Sequence, residues 1–196
     1  MIYRGNSVSE VIEFETKRLR LRQWLPSDKA PFAELNADKR VMAFFPAPLS
    51  REDSDTMADR CQTLITQRGW GLWAVEVKAS GQFAGALGLH IPTVNLPFSP
   101  CIEIGWRFAY PFWAQGLATE AALGALQVGF ERLKLAEIVS FTALINQRSQ
   151  ALMARIGMTR ASDTFLHPAV SSDSPLSQHC WYHISQQQWH NRASCL

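Results

Sequence analysis

Residues 101–120, CIEIGWRFAYPFWAQGLATE, constrain the fold of this chain more than any other stretch. Ile102, Ile104, Trp106 and Phe108 alternate with Glu103, Gly105 and Arg107. A period of two describes a strand with one apolar face and one face available for chemistry. An aromatic turn follows. Gln115-Gly116-Leu117-Ala118-Thr119 then opens a helix in which Leu123, Leu126, Phe130 and Leu133 keep helical spacing as far as residue 133. The first amides of a helix have no partner within it, and small residues at 116 and 118 let a ligand approach them. The segment reads equally as a phosphate-binding helix start or as a tight strand-to-helix turn.

The rest of the chain alternates in the same manner. Residues 18–22 form a half-buried strand, and a helix with Ser27 as its cap is expected from Pro26 to Ala37. Ser50-Arg51-Glu52-Asp53 opens a second helix, running to Arg68. Residues 71–78 and 82–91 read as a hairpin turning at Ala79-Ser80-Gly81, and 92–100 as a loop. Residues 138–145 form another strand, and 147–155 a short helix stopped by Gly157. A strand near Met158, a polar loop over 167–177 and a strand over 180–184 complete the order. Residues 1–15 read as a loose leader and 190–196 as a tail. Hairpins followed by strand–helix–strand–helix–strand predict a mixed α/β sheet. A length of 196 residues suits a single domain over 1–196, with a core spanning about 14–189.

Composition narrows the function classes. Nineteen basic against 17 acidic residues give a net charge of +2, which argues against a nucleic-acid binder. Cys61, Cys101, Cys180 and Cys195 show no C-x-x-C spacing, and His179 with His183 lacks a third ligand, so no metal is expected. No secretory leader or membrane-spanning run is read, and a soluble cytoplasmic protein is expected. The phosphate-binding signatures G-x-x-x-x-G-K-[ST] and G-x-G-x-x-G are both missing. Asn146, between a strand and a helix, reads first as an N-cap.

Taken together, several segments in order resemble the GCN5-related N-acetyltransferase (GNAT) superfamily, in its RimJ/RimL-like branch. They are Glu15-Thr16-Lys17-Arg18-Leu19-Arg20-Leu21-Arg22, Glu103-Ile104-Gly105-Trp106, Phe112 to Ala121, Asn146-Gln147-Arg148-Ser149 and Ile156-Gly157-Met158. The resemblance implies a curved central sheet flanked by helices, in which two parallel strands, here 101–108 and 138–145, splay apart. Acetyl-CoA would lie in that cleft as co-substrate. Its pantetheine arm would pair as an added strand along Trp106, Arg107 and Phe108. Its pyrophosphate would rest on the backbone around Gln115, Gly116, Ala118 and Thr119, and Trp113, Ala114, Leu117, Asn146 and Ser149 are also implied to bind the cofactor. In the family pattern Q/R-x-x-G-x-G/A this chain has Trp113, Gly116 and Ala118. The Trp departs from the superfamily but is similar to the RimJ/RimL branch.

The resemblance also implies direct acetyl transfer to a primary amine, either a protein N-terminus or a small molecule. Glu103 is the implied base, its bland alternative being a surface carboxylate or a partner for Arg107. Many members of the family carry a tyrosine acid seven residues after the asparagine; Met153 stands there, and Ser149 is the substitute. The acceptor pocket is expected from residues 26–68 and the loops 92–100 and 167–177. A non-catalytic acetyl-CoA-binding module is the alternative. Monomer and homodimer are both compatible with the sequence.

Overall fold

The computed structural model describes residues 10–193. A single eight-stranded mixed sheet runs through it in the order β1-β2-β3-β4-β5-β6-β8-β7. The first five strands form an antiparallel meander: β1 Phe14–Glu15, β2 Leu19–Arg22, β3 Leu72–Val77, β4 Phe83–His90 and β5 Glu103–Phe108. Strand β6, Glu137–Ala143, joins parallel to β5. It pairs along its length with antiparallel β8, Gln178–Ser185, and β7, Thr159–Leu166, forms the far edge. The helices are α1 Lys29–Ala37, α2 Arg51–Arg68, α3 Leu117–Gln127, α4 Gln147–Arg155 and α5 Gln186–Ala193. This is the mixed, helix-flanked sheet that the element order predicts.

One defect in the sheet positions everything else. β5 and β6 meet at a single register position, Glu103 opposite Val139. The Val139 N–H donates to the Ile102 carbonyl at 2.9 Å, and the Ser140 hydroxyl then occupies the Ile104 carbonyl at 2.9 Å. Past that point the strands part. Backbone groups of a strand face alternate sides, so the carbonyls of Ile102 and Ile104 fix the direction of Trp106 and Phe108: toward the gap. Glu103, Gly105 and Arg107 turn theirs toward β4, as does Ala109, whose N–H reaches the Ala84 carbonyl at 2.9 Å.

Side-chain alternation on β5 follows the sequence. Ile104 and Phe108 are buried in the core, and Trp106 reaches α4. Arg107 reaches α1 and α2 through Asn36 and Met57. The two faces of this strand therefore serve two different walls. Leu87, Leu89, Ile104, Leu126, Phe130 and Ile138 belong to one contiguous buried cluster that holds the strands in register. Ser50 caps α2 as expected, accepting the Asp53 N–H at 3.0 Å, and Gly69 ends the helix in the left-handed region.

Four local expectations need correction. Within the expected leader, Phe14 and Glu15 pair with β2, and Phe14 packs edge-on against Trp73 at 5.2 Å; residues 1–9 lie outside the described part. Ser27 does not cap α1. It sits in a 3-10 turn, Pro26–Asp28, and the Asp28 carboxylate accepts the Leu25 N–H at 2.8 Å. That same carboxylate holds both Nη atoms of buried Arg22, at 2.7 and 3.0 Å, so a charge pair interrupts the alternation of β2. The long third helix ends at Gln127 and passes into a π turn, Val128–Arg132, that still buries Phe130. The expected tail begins inside α5, where Trp189 stacks on Phe130 at 5.6 Å; Cys195 lies outside the described residues.

Candidate active site

The gap between β5 and β6 opens into a cavity of about 1070 Å³. Its walls are β5 and β6, the starts of α3 and α4, Phe44 and Phe45 between α1 and α2, and His167 with His179. The volume is ample for a cofactor arm and an acceptor together.

At the start of α3 the backbone is left open. Gly116 is the N-cap with φ +74°, a left-handed conformation that glycine adopts without strain, and Ala114 shares it at φ +57°. The first helical bond runs from the Glu120 N–H to the Gly116 carbonyl at 3.0 Å. Among the described residues, no acceptor meets the N–H groups of Ala114 through Thr119. Ala114, Gly116, Leu117, Ala118 and Thr119 line the cavity. Glu120, in the first turn, could have folded back onto these amides. Instead it is held by the Arg18 Nε at 2.6 Å, the Arg18 N–H at 2.7 Å and the Thr16 hydroxyl at 2.6 Å. Burial works against its ionised form, but the hydrogen bonds from Thr16 and Arg18 keep the carboxyl below its ordinary pKa. Gln115 departs from its neighbours: its side chain donates to the Pro111 carbonyl at 2.7 Å, and it lines a separate hollow beside Phe83.

Trp113 is spoken for within the chain. Its indole N–H donates to the Phe108 carbonyl at 2.7 Å, and the Arg148 guanidinium lies 4.8 Å from its ring centre. The ring thus braces the end of β5 against α4, and Phe108 keeps only its N–H facing the gap.

At the start of α4 the backbone is closed by its own cap. Asn146 Oδ1 accepts the Ser149 N–H at 3.3 Å, which fixes the amide's orientation and makes Nδ2 a donor. Nδ2 donates to Thr142 Oγ1 at 2.8 Å and to Ser149 Oγ at 3.0 Å. A second, longer donation reaches Ser149 Oγ from the Trp106 indole at 3.4 Å. A hydroxyl oxygen that accepts twice has only its proton left to offer. Ser149 therefore presents an O–H donor to the cavity. Met153, one turn on, is fully buried and apolar.

Glu103 and His90 occupy the opposite wall. They face each other across the β4–β5 ladder, with Oε2 and Nε2 3.1 Å apart, and both line the cavity. Glu103 is 9% exposed, neither a surface carboxylate nor a partner of Arg107. The buried Nδ1 of His90 has no hydrogen-bond partner. Next along that face, Gly105 leaves room: a Cβ there would lie 3.5 Å from the His90 ring and 3.7 Å from Glu103 Oε1. His167 and His179 pack 4.8 Å apart between centroids, and burial lowers the pKa of each.

Of the residues singled out in the sequence, the fold brings Glu103, Trp106, Arg107, Phe108, Trp113, Ala114, Gly116, Leu117, Ala118, Thr119, Asn146 and Ser149 to one cavity. The side chains of Trp113 and Gln115 are engaged by the chain itself, Gln115 lies outside the cavity lining, and Arg107 turns its backbone to β4 and its side chain to the α1–α2 wall of the cavity rather than to the β5–β6 gap. Sequence reasoning missed His90 and Asn36. The only signal for His90 was a histidine ending an otherwise apolar strand.

The comparisons agree with this architecture. The model of the acetyltransferase (GNAT) domain matches residues 18–159. An Aspergillus fumigatus protein described as FsC-acetyl coenzyme A-N(2)-transacetylase is 31% identical over 166 residues, 80% of this chain and 68% of that protein. A GNAT-family acetyltransferase from Bacillus anthracis superposes with a TM-score of 0.75 at 22% identity, covering 90% of this chain and 99% of the other. The ribosomal-protein-S5-alanine acetyltransferase of Vibrio fischeri gives 0.71 at 15% identity, covering 91% and 98%. RimL, a ribosomal L7/L12 α-N-protein acetyltransferase solved with coenzyme A, gives 0.67 at 19% identity, covering 87% and 95%. No helix of the described residues is long and apolar enough to cross a membrane. The chain belongs to the GNAT acetyltransferase domain family, and its fold has RimJ/RimL-like neighbours.

Proposed function

We propose that this protein transfers an acetyl group from acetyl-CoA directly to a primary amine. The observation that carries the reading is the row of unpaired amides at Gly116, Leu117, Ala118 and Thr119, opening on the same cavity as Glu103 and Ser149. A helix start with free N–H groups and a positive dipole end is built for a pyrophosphate. The outward amides of Trp106 and Phe108 suit an amide-bearing pantetheine arm lying along β5 as an added strand. Arg148 and Arg155 line the same cavity from the exposed face of α4 and add positive charge near the phosphates. Backbone amides supply most of that recognition, which is how a chain of net charge +2 can hold a polyanion.

The transfer needs a neutral nitrogen, which attacks the thioester carbonyl carbon. The N–C bond forms as the C–S bond breaks. Glu103, beside His90, takes the proton the amine loses and passes it to solvent, and the departing thiolate takes up one proton from solvent, so the exchange balances. Ser149 donates its O–H to that sulfur as charge develops there. An α-amino group is about a tenth neutral at pH 7, a lysine-type amine less than about a thousandth, so the first asks less of the base.

Thiol release from acetyl-CoA across amines, amino acids and N-terminal peptides tests the proposal, and turnover with at least one class is expected. Buried, apolar Met153 favours a second reading, a module that binds acetyl-CoA without turnover. Thermal stabilisation by acetyl-CoA with no thiol release over the whole panel would select it.

A further inference from the structure

Four arginines line the cavity, and three of them have evident company or exposure. Arg40 is held by Asp38 at 2.6 Å and lies over Tyr110 at 3.8 Å. Arg148 stacks on Trp113, and both it and Arg155 are exposed on α4. Arg107 differs. It is half-buried on the α1–α2 face of β5, and no carboxylate among the described residues pairs with it. The one acidic group beside it is the Cys61 thiol, which burial pushes up to about 11, so it stays neutral.

The guanidinium is nevertheless carefully held. One Nη donates to Asn36 Oδ1, and Asn36 is oriented in turn by Ser54 Oγ at 2.8 Å; Asn36 and Ser54 are both fully buried. The same Nη lies 4.0 Å from Met57 Sδ, and Phe45 covers the guanidinium face at 4.1 Å. Nε and the other Nη have no partner among the described residues. Arg107 is one of the residues that line the cavity. Burial lowers this guanidinium to about 10, which leaves it protonated at neutral pH. A fixed, incompletely paired guanidinium fork is a receptor for a planar anion.

We propose that the acceptor is a small molecule bearing both an amine and a carboxylate, and that Arg107 binds its carboxylate. This rests on the acetyltransferase reading above and names the substrate class of that site. Glu103 and Arg107 lie four residues apart on one face of β5, so their backbones stand roughly 13 Å apart. Gly105 between them keeps the floor of the groove clear. An acceptor laid along this face puts its amine at Glu103 and its carboxylate under Phe45. The carboxylate takes no part in the transfer. Coenzyme A occupies the other side: the backbone of Arg107 faces β4, and its side chain faces α1 and α2.

The test compares amino carboxylates (the common α-amino acids, 4-aminobutyrate and 6-aminohexanoate) with their carboxamides, as substrates with acetyl-CoA and as ligands by calorimetry with CoA present. At least one carboxylate is expected to exceed its amide by about ten- to a hundredfold in kcat/KM or affinity. In Arg107→Gln that ratio should collapse toward one, mainly through KM. Arg107→Lys, which keeps the charge but loses the fork, should fall between. The wild-type comparison needs no variant, so a folding defect in either does not shield the idea. Parity between every carboxylate and its amide overturns it. So does a loss of acetyl-CoA affinity in Arg107→Gln as large as the loss for the acceptor. If thiol release is absent throughout, the acetyltransferase reading fails; the calorimetric preference still decides for or against the carboxylate subsite.

Discussion

Two helices begin at this cavity, and they begin in opposite ways. α3 starts at a left-handed glycine that offers no side chain, and its leading amides are left without acceptors. α4 starts at an asparagine whose amide satisfies the helix end and, through its second nitrogen, Thr142 and Ser149. A capped helix start is more stable but has little left for a ligand; an uncapped one gives up roughly 1 kcal/mol of helix stability and gains an anion site. The contrast extends to the neighbouring acids. Glu120 is drawn off the open amides by Arg18, whereas nothing competes for the closed ones. One start leaves its amides open, the other holds a hydroxyl still.

The largest expected effect lies at neither helix start, since neither supplies a base. Glu103→Gln should lower kcat/KM by about a hundred- to ten-thousandfold near neutral pH. Wild-type kcat/KM across the pH range would remove Glu103 from the mechanism.

The open start is broken by giving it its own anion. In Ala118→Glu, a carboxylate in the first turn of α3 should cost about a hundredfold in acetyl-CoA affinity. The same charge should leave the melting temperature level or raise it, because acids favour a helix N-terminus by about 0.3–1 kcal/mol. Calorimetry and thermal unfolding on one preparation check both. Unchanged affinity would mean the phosphates are held elsewhere.

The closed start is broken the other way. Asn146→Ala should cost about 0.5–2 kcal/mol in stability by chemical denaturation, because a cap is lost. It should also slow kcat by roughly tenfold as Ser149 loses its hold, with acetyl-CoA affinity nearly kept. Ser149→Ala should reproduce the loss in kcat while retaining the stability. A kcat that ignores both substitutions would reduce α4 to a structural role.

The smallest effect comes from the histidine wall. Burial lowers the pKa of His167 and His179 in the folded state, so the unfolded chain binds more protons between the folded and unfolded values. Stability should then fall as pH drops through and below about 6.5, and level off once both states are protonated. Melting temperatures between pH 8 and 5 read this out. In His167→Gln combined with His179→Gln, the acid-side loss should shrink.

The sheet was legible where its signal is short-range. Alternation on β5 separates Ile104 and Phe108 from Glu103 and Arg107, and Ser50 marks the start of α2. Errors fell where a distant partner decides. Phe14–Glu15 forms a strand only because β2 is there to pair with it, and Arg22 is buried only because Asp28 and Glu76 meet it. The Asn36–Arg107 contact spans 71 positions in sequence and depends on which strand face receives α1. His90 and Glu103 meet through a ladder register that the intervening loop hides.

By itself, the sequence determined the α/β order of elements, the glycine opening α3 and the asparagine closing α4. Those features rest on backbone dihedrals, capping and periodicity, each settled within a few residues. Only the tertiary structure decided where β5 and β6 part, which acid meets which base, and that Arg107 turns from the β5–β6 gap to the wall formed with α1 and α2. Those outcomes depend on packing between segments far apart in the chain, and local sequence carries no measure of that distance.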